Sequence, residues 1–241
     1  MDADLKEAIE LLKTVPTASL TTELSKIGFK NVYMAGPRRL NDGSSRLVGE
    51  AFTLRYIPNR EDLATTEILA DPEYPQRKAI EVAPSGSVLV MDCRGLADTG
   101  VLGDILATRL EVRAVAGVVA DGCVRDADEL KTMSLPIFCL GGAAPASITS
   151  HYAADVQLPI ACGGVAVVPG DIIVGDGDGV VVIPRANAVE IAKAAALRED
   201  VEDFVKKRIA EGAALPGNYP PSSQTLQAFE AATASKTDDD R

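Results

Sequence analysis

Tryptophan is absent from the 241-residue chain, phenylalanine and tyrosine number five each, and there is one histidine. So few rings leave no stacking platform for single-stranded nucleic acid. The core must therefore come from Ala, Val, Ile and Leu within a hydrophobic share of 46%, which suits an α/β protein rich in Val strands. Positive charge is also scarce, with 24 Lys and Arg against 35 Asp and Glu for a formal net charge of −11. A surface of that sign repels a phosphate backbone, so nucleic acid is not an expected partner. Cysteine is limited to Cys93, Cys123, Cys139 and Cys162, without a CxxC pair or a nearby His. That spacing argues against structural zinc and predicts reduced, mostly buried thiols. No window reaches the roughly 20 apolar residues of a membrane span. The opening MDADLKEAIELLKTV is acidic and amphipathic, not basic and then apolar like a secretion signal. A soluble, reducing, cytoplasmic setting with no membrane partner is expected.

Leu5, Ile9, Leu11 and Leu12 have near-helical spacing over 4–14, and a second short helix is expected around 19–27, ended by Gly28. A Pro- and Gly-containing stretch leads to VGEAFTLRYIP, a strand terminated by Pro58. An acidic helix near 61–70 and a polar loop with Asp71, Pro72, Tyr74 and Pro75 follow, then the buried strand SVLVMDC. A helix over 103–113, the strand AGVVAD, the turn DGCV and a helix starting in RDADELKTM imply right-handed crossovers between parallel strands. Beyond Pro136, short segments with turn signals predict an antiparallel or mixed β layer, and a long helix runs from Arg185 to about Ala210. Residues 212–241, with Pro216, Pro220 and Pro221, read as an extended arm and a frayed tail. With no repeat and no long linker, residues 1–241 read as a single layered α/β domain.

The stretch from Gly103 to Leu130 carries the chemistry. Gly103 and Asp104 open a helix whose unpaired Ile105 and Leu106 amides favour an anion, by about 0.3–1 kcal/mol at a surface. A carboxylate is a suitable guest. Arg125 and Asp126 fall just past the carboxyl end of the next strand, where open α/β sheets commonly bind ligands, and Asp126 and Glu129 share a helix face. Arginine beside aspartate at an anion-binding helix end suits 2-oxo acid cleavage. Breaking the bond beta to the ketone leaves charge on an enolate oxygen that must be stabilised where it develops. On spacing alone, RDxxE is equally an ordinary capped helix whose Arg pairs with a nearby Glu. DGDG at 176–179 lacks the Glu of a calcium loop, where Asn187 stands instead, and reads as a tight hairpin turn. His151, without a nucleophile or second ligand, reads as a loop or interface residue.

The run from Gly103 to Glu129, with GDILA opening a helix and DGCVRDADEL closing the unit, resembles the signature of the RraA-like family. The similarity extends to VGEAFTLRYIP, to PIACGGVAVVPGDIIVGDGDGVVVIP and to the long C-terminal helix, roughly residues 15–220. The family includes 4-hydroxy-4-methyl-2-oxoglutarate / 4-carboxy-4-hydroxy-2-oxoadipate aldolases that also decarboxylate oxaloacetate, and members that bind and inhibit an endoribonuclease. The resemblance implies a layered β/β/α domain of the swivelling type, assembled as a homotrimer or dimer of trimers. It also implies a Mg2+ or Mn2+ cofactor held by Asp126, Arg125 on the pyruvate oxygens, Asp104 in proton transfer with a water, and the Gly103, Ile105 and Leu106 segment on the substrate carboxylate. An acid from a neighbouring subunit's C-terminal helix would reach the metal waters; Glu199, Glu202 and Asp203 are available, and Glu202 is the choice. The chain departs from shorter aldolases in its Glu61–Arg77 segment and its proline-rich arm with Tyr219, so the substrate beyond a 2-oxo acid stays open. A sugar-derived 2-oxo acid, a related dehydratase reaction and a protein-binding regulator are the alternatives.

Overall fold

The computed structural model describes residues 3–41 and 46–239, and of residues 235–239 the helical backbone alone. The chain opens with α1 (Ala3–Leu12) and α2 (Thr17–Lys26), the latter closed as expected at Gly28, whose φ is +95°. Two short strands, β1 (Tyr33–Met34) and β2 (Arg38–Arg39), precede the long strand β3 (Leu47–Pro58). Then come α3 (Pro75–Val82), β4 (Ser87–Asp92), α4 (Asp104–Val112), β5 (Gly117–Ala120), α5 (Ala127–Leu130) and β6 (Ile137–Cys139). The β-rich part holds β7 (His151–Val156), β8 (Ile160–Cys162), β9 (Val165–Val167), β10 (Ile172–Gly175) and β11 (Val180–Ile183). It is followed by α6 (Ala188–Ala210) and α7 (Ser223–Asp239).

Strands β3, β4, β5 and β6 pair in parallel at the centre of one sheet, in the order β1-β11-β10-β3-β4-β5-β6-β2. One edge of β3 is divided along its length: Leu47–Glu50 pair with β10 and Leu54–Pro58 with β7, both antiparallel, the latter with a register shift between Arg55 and Tyr56. Side-chain alternation then builds the layers. Leu89 and Met91 of β4 and Val118 and Ala120 of β5 face a core shared with α3 and α4. Val88, Val90 and Val119, their neighbours in sequence, face the opposite side, where Ile160, Cys162, Val165 and Val167 of the β8–β9 hairpin cover them. A further core joins Ile172, Val174, Val181 and Ile183 to α1, α2 and α6. The layered α/β architecture with a second β layer, amino-terminal helices and a long C-terminal helix is thus the one expected.

Three local expectations fail. Residues 61–70 form turns and a short 3-10 helix, Thr66–Ala70, with Ile68 and Leu69 packed against the core shared with α3 and α4. The loop expected before β4 contains α3, which starts on Pro75 and buries Gln76, Ala79 and Ile80 at helical spacing. The extended arm expected over 212–241 instead holds α7, which begins once the prolines have passed and packs Phe229 edge-on against Phe204 of α6, ring centroids 5.7 Å apart. Residues 240–241 of the expected frayed tail lie outside the described residues.

DGDG forms the β10–β11 hairpin turn, with the Asp176 amide bonded to the Gly179 carbonyl at 2.9 Å. Its first carboxylate has a second duty. Pro16 precedes α2 with no side-chain acceptor of its own, and Asp176 supplies one from the far end of the chain. It accepts from the Thr17 amide at 2.8 Å, the Thr17 hydroxyl at 2.7 Å and the Asp178 amide at 3.0 Å. Burial would raise its pKa, but these donors and the Arg46 guanidinium hold it below the usual carboxylate range. Asp176→Ala leaves those donors without an acceptor and is expected to destabilise the fold by roughly 1–3 kcal/mol. Urea denaturation should show a lower midpoint with an unchanged slope; an unchanged midpoint would remove the capping role.

Candidate active site

Beyond the carboxyl ends of β4, β5 and β6, three loop segments run on side by side. Val101 donates to the Cys123 carbonyl at 2.8 Å and Arg125 to the Leu102 carbonyl at 2.7 Å, while Val124 donates to the Gly141 carbonyl at 2.9 Å. The bridges Gly100–Cys123 and Val124–Gly142 are parallel, so the strip continues the direction of the sheet. It fixes Arg125 and Asp126 against the start of α4. Side chains are excluded where the segments meet: a Cβ at Gly100 would lie 2.2 Å from Arg125 Cγ, and one at Gly103 would lie 2.7 Å from Asp126 Oδ2. Gly103 is the residue that caps α4, so the Asp126 carboxylate lies against the amino end of that helix. Asp126 itself holds φ +53°, ψ +40°, a left-handed conformation that Asp tolerates better than most residues.

A cavity of about 290 Å³ opens here, and Gly103, Asp104, Ile105, Leu106, Arg125 and Asp126 all line it. The structure therefore brings these expected site residues together. Arg125 and Asp126 are exposed, and among the described residues neither side chain has an ion pair or hydrogen bond within the chain. That is the condition of groups free to meet a ligand. The reading of RDxxE as an Arg paired with a nearby Glu does not hold, and Glu129 is not part of the cavity wall. The two amides expected to act together are not equivalent: Ile105 donates to Asp104 Oδ1 at 2.7 Å, which leaves Leu106 as the amide that this side chain does not occupy.

Glu202 is not brought to the cavity by its own chain. It lies on α6 in a separate groove with Tyr219 and pairs with Arg198 at 2.8 Å. Glu199 accepts from the Ser19 hydroxyl, and Asp203 pairs with Lys206 at 3.1 Å. Sequence reasoning missed Gln76, Arg77 and Ser147, the further polar side chains of the cavity wall. The first two ride on α3, which the spacing of Gln76, Ala79 and Ile80 could have disclosed.

Nearby buried groups have structural tasks. Asp121, at the end of β5, has its pKa raised by burial although it accepts from the amides of Cys93 at 2.5 Å and Gly163 at 3.2 Å, which tie the β8–β9 hairpin to the loop after β4. All four cysteines are free and buried, as expected. Burial pushes the Cys139 thiol up to about 11, so it is a poor nucleophile. His151 is neither in a loop nor at the surface: it starts β7 fully buried, because Tyr56 stacks against it at 5.4 Å and Arg94 reaches its Nδ1 at 3.1 Å.

A family model for RraA-like proteins, described as Aldolase/RraA, matches residues 17–182. A protein of Halalkalibacterium halodurans named "Putative 4-hydroxy-4-methyl-2-oxoglutarate aldolase" is 30% identical over 204 residues, 84% of this chain and 89% of the relative. The 4-hydroxy-4-methyl-2-oxoglutarate aldolase of Thermus thermophilus is 32% identical over 165 residues, 68% of this chain and 92% of its own. Among solved structures, Streptomyces coelicolor RraAS2, described as an unusual member of the RNase ES inhibitor RraA protein family, superposes with a TM-score of 0.74 at 34% identity. That match covers 86% of this chain and 97% of the other.

Burial and the Arg94 charge lower the His151 pKa from 6.5 to about 4, against a smaller opposing effect of Asp98. The unfolded chain therefore binds a proton that the folded one refuses, so the stability contributed by the neutral ring is complete above 6.5 and is lost as pH falls through about 4. Unfolding free energies of the wild-type protein and His151→Phe, measured across that window, should diverge with the wild type losing more on acidification. Parallel curves would show that the ring protonates without penalty.

Proposed function

We infer that this chain, which belongs to the RraA-like family, is a lyase that releases pyruvate from a 4-hydroxy-2-oxo acid in the cavity between α4 and the Arg125–Asp126 pair. The observation that carries the reading is the meeting of an unpaired guanidinium and an unpaired carboxylate at the amino end of one helix. A substrate 2-oxo carboxylate would lie at that helix end, within reach of the Leu106 amide. Arg125 would face the keto oxygen, where negative charge develops as the C3–C4 bond breaks. The electron pair of that bond stays with the pyruvyl fragment, the 4-hydroxyl loses its proton as the other fragment becomes a carbonyl, and C3 gains a proton to give pyruvate. Asp104, which lines the same cavity, is the acid–base group for the hydroxyl proton, acting with a water.

The residues present suit magnesium or manganese. Asp126 offers one hard oxygen donor, and no group of three or more His, Cys, Asp or Glu with metal-binding geometry occurs among the described residues. One carboxylate completed by waters and substrate oxygens is the ordinary magnesium arrangement, whereas a closed zinc site needs more protein ligands. When bound, such a cation adds positive charge beside the keto and carboxylate oxygens. Glu202 is engaged by Arg198 within its own chain, so the reading rests on Asp126. Supply of an acid by a second copy in a trimer or hexamer is a further part of the proposal.

The kinship with RraAS2 supports a second reading, binding of an endoribonuclease. Fold alone does not decide between the two. Pyruvate release from 4-hydroxy-4-methyl-2-oxoglutarate and from oxaloacetate is expected to vanish in excess EDTA and return with magnesium or manganese. Turnover that persists in chelator would overturn the metal-dependent mechanism. Arg125→Ala is expected to lower kcat about 10²–10³-fold with the fold intact. Full turnover by this variant would remove Arg125 from the reaction, and if the same substitution abolished binding to an endoribonuclease the regulator reading would gain.

A further inference from the structure

Arg77 has no part in the reaction drawn above, yet it lines the same cavity as Arg125 and Asp126. Its position is built in. Pro75 starts α3, and the buried Gln76 donates Nε2 to the Val101 carbonyl at 2.8 Å, which fastens the first turn of the helix to the strip that carries Gly103. Arg77 follows directly. It is half-buried, and its Nε donates to the Leu69 carbonyl at 2.8 Å, so the guanidinium is aimed by a backbone acceptor and not by an acid. Among the described residues no carboxylate pairs with it, although the neighbouring Lys78 pairs with Glu73 at 2.8 Å.

Charge in the cavity sharpens the point. Arg77 and Arg125 balance Asp104 and Asp126 in the cavity wall, and with Arg125 assigned to the keto oxygen, Arg77 is the guanidinium left for a further anionic group. A half-buried, oriented guanidinium without a counter-ion is the group best suited to a second carboxylate, because its planar fork matches both oxygens.

We propose that Arg77 is a substrate-binding residue that selects 2-oxo acids bearing a second carboxylate at the end remote from the keto group. The assignment rests on the 2-oxo acid reading of the cavity. It places substrate choice on α3.

Binding tests it without turnover. With manganese present, 2-oxoglutarate and 2-oxopentanoate, which share a carbon chain and differ in the distal carboxylate, would be titrated calorimetrically into the full-length wild-type protein, Arg77→Gln and Arg77→Lys. The wild type should prefer 2-oxoglutarate. Arg77→Gln should weaken 2-oxoglutarate about 10–100-fold and leave 2-oxopentanoate unchanged, with Arg77→Lys recovering part of the loss. Equal weakening of both ligands, or of neither, overturns the role of Arg77 while leaving the lyase reading in place. Failure of the wild type to bind either acid overturns both together. Circular dichroism of each variant separates a binding loss from misfolding.

Discussion

Arg125 and Asp126 would be two exposed loop residues without the parallel pairing of 100–102 with 123–125. The sheet proper ends at Asp92 and Ala120, yet backbone hydrogen bonding continues past those ends, so the loops inherit the direction and spacing of the strands. Rigid positioning of this kind is what lets a short side chain such as Asp126 hold its place against Gly103 while remaining open to solvent. The close approach has a steric condition, met at Gly100 by the absence of any side chain where Arg125 passes.

The distribution of satisfied and unsatisfied charge separates scaffold from site. Asp121 and Asp176 are buried and surrounded by backbone donors, so their carboxylates are spent on holding loops and a helix start in place. The four charged side chains of the cavity are treated differently: among the described residues Arg77 is bonded only through Nε, Asp104 accepts only from its neighbour's amide, and Arg125 and Asp126 have no side-chain partner. Opposite charges placed together without neutralising one another keep a high affinity for a ligand that carries both signs, such as a chelated oxo acid.

The parts of this arrangement that depend on local pattern were legible in the sequence. The Val-rich strand before Arg125, the Gly103–Asp104 helix start and the DGDG turn are each defined within a few residues, and each is found where its pattern predicts. Long-range contacts were not legible. Burial of His151 depends on Arg94 and Tyr56, whose approach no spacing encodes. The helix α7 was hidden behind Pro216, Pro220 and Pro221, although the turn they form ends before it begins. Arg77 is concealed by the polar run around Pro72 and Pro75, which has the composition of a loop although Pro75 occupies the first turn of a helix.

The cap that Asp176 provides for α2 joins residues 159 positions apart. The helices α1 and α2 also bury their apolar faces on α6 and on strands β10 and β11, all of which are synthesised late. On a ribosome the amino-terminal helices therefore emerge long before their docking surface exists. Leu5, Leu12, Leu20 and Leu24 have to wait for the later β10, β11 and α6 residues that they pack against. This layer cannot close until the β10–β11 hairpin has been made, and until then the nascent chain presents a leucine-rich segment of the kind that chaperones bind.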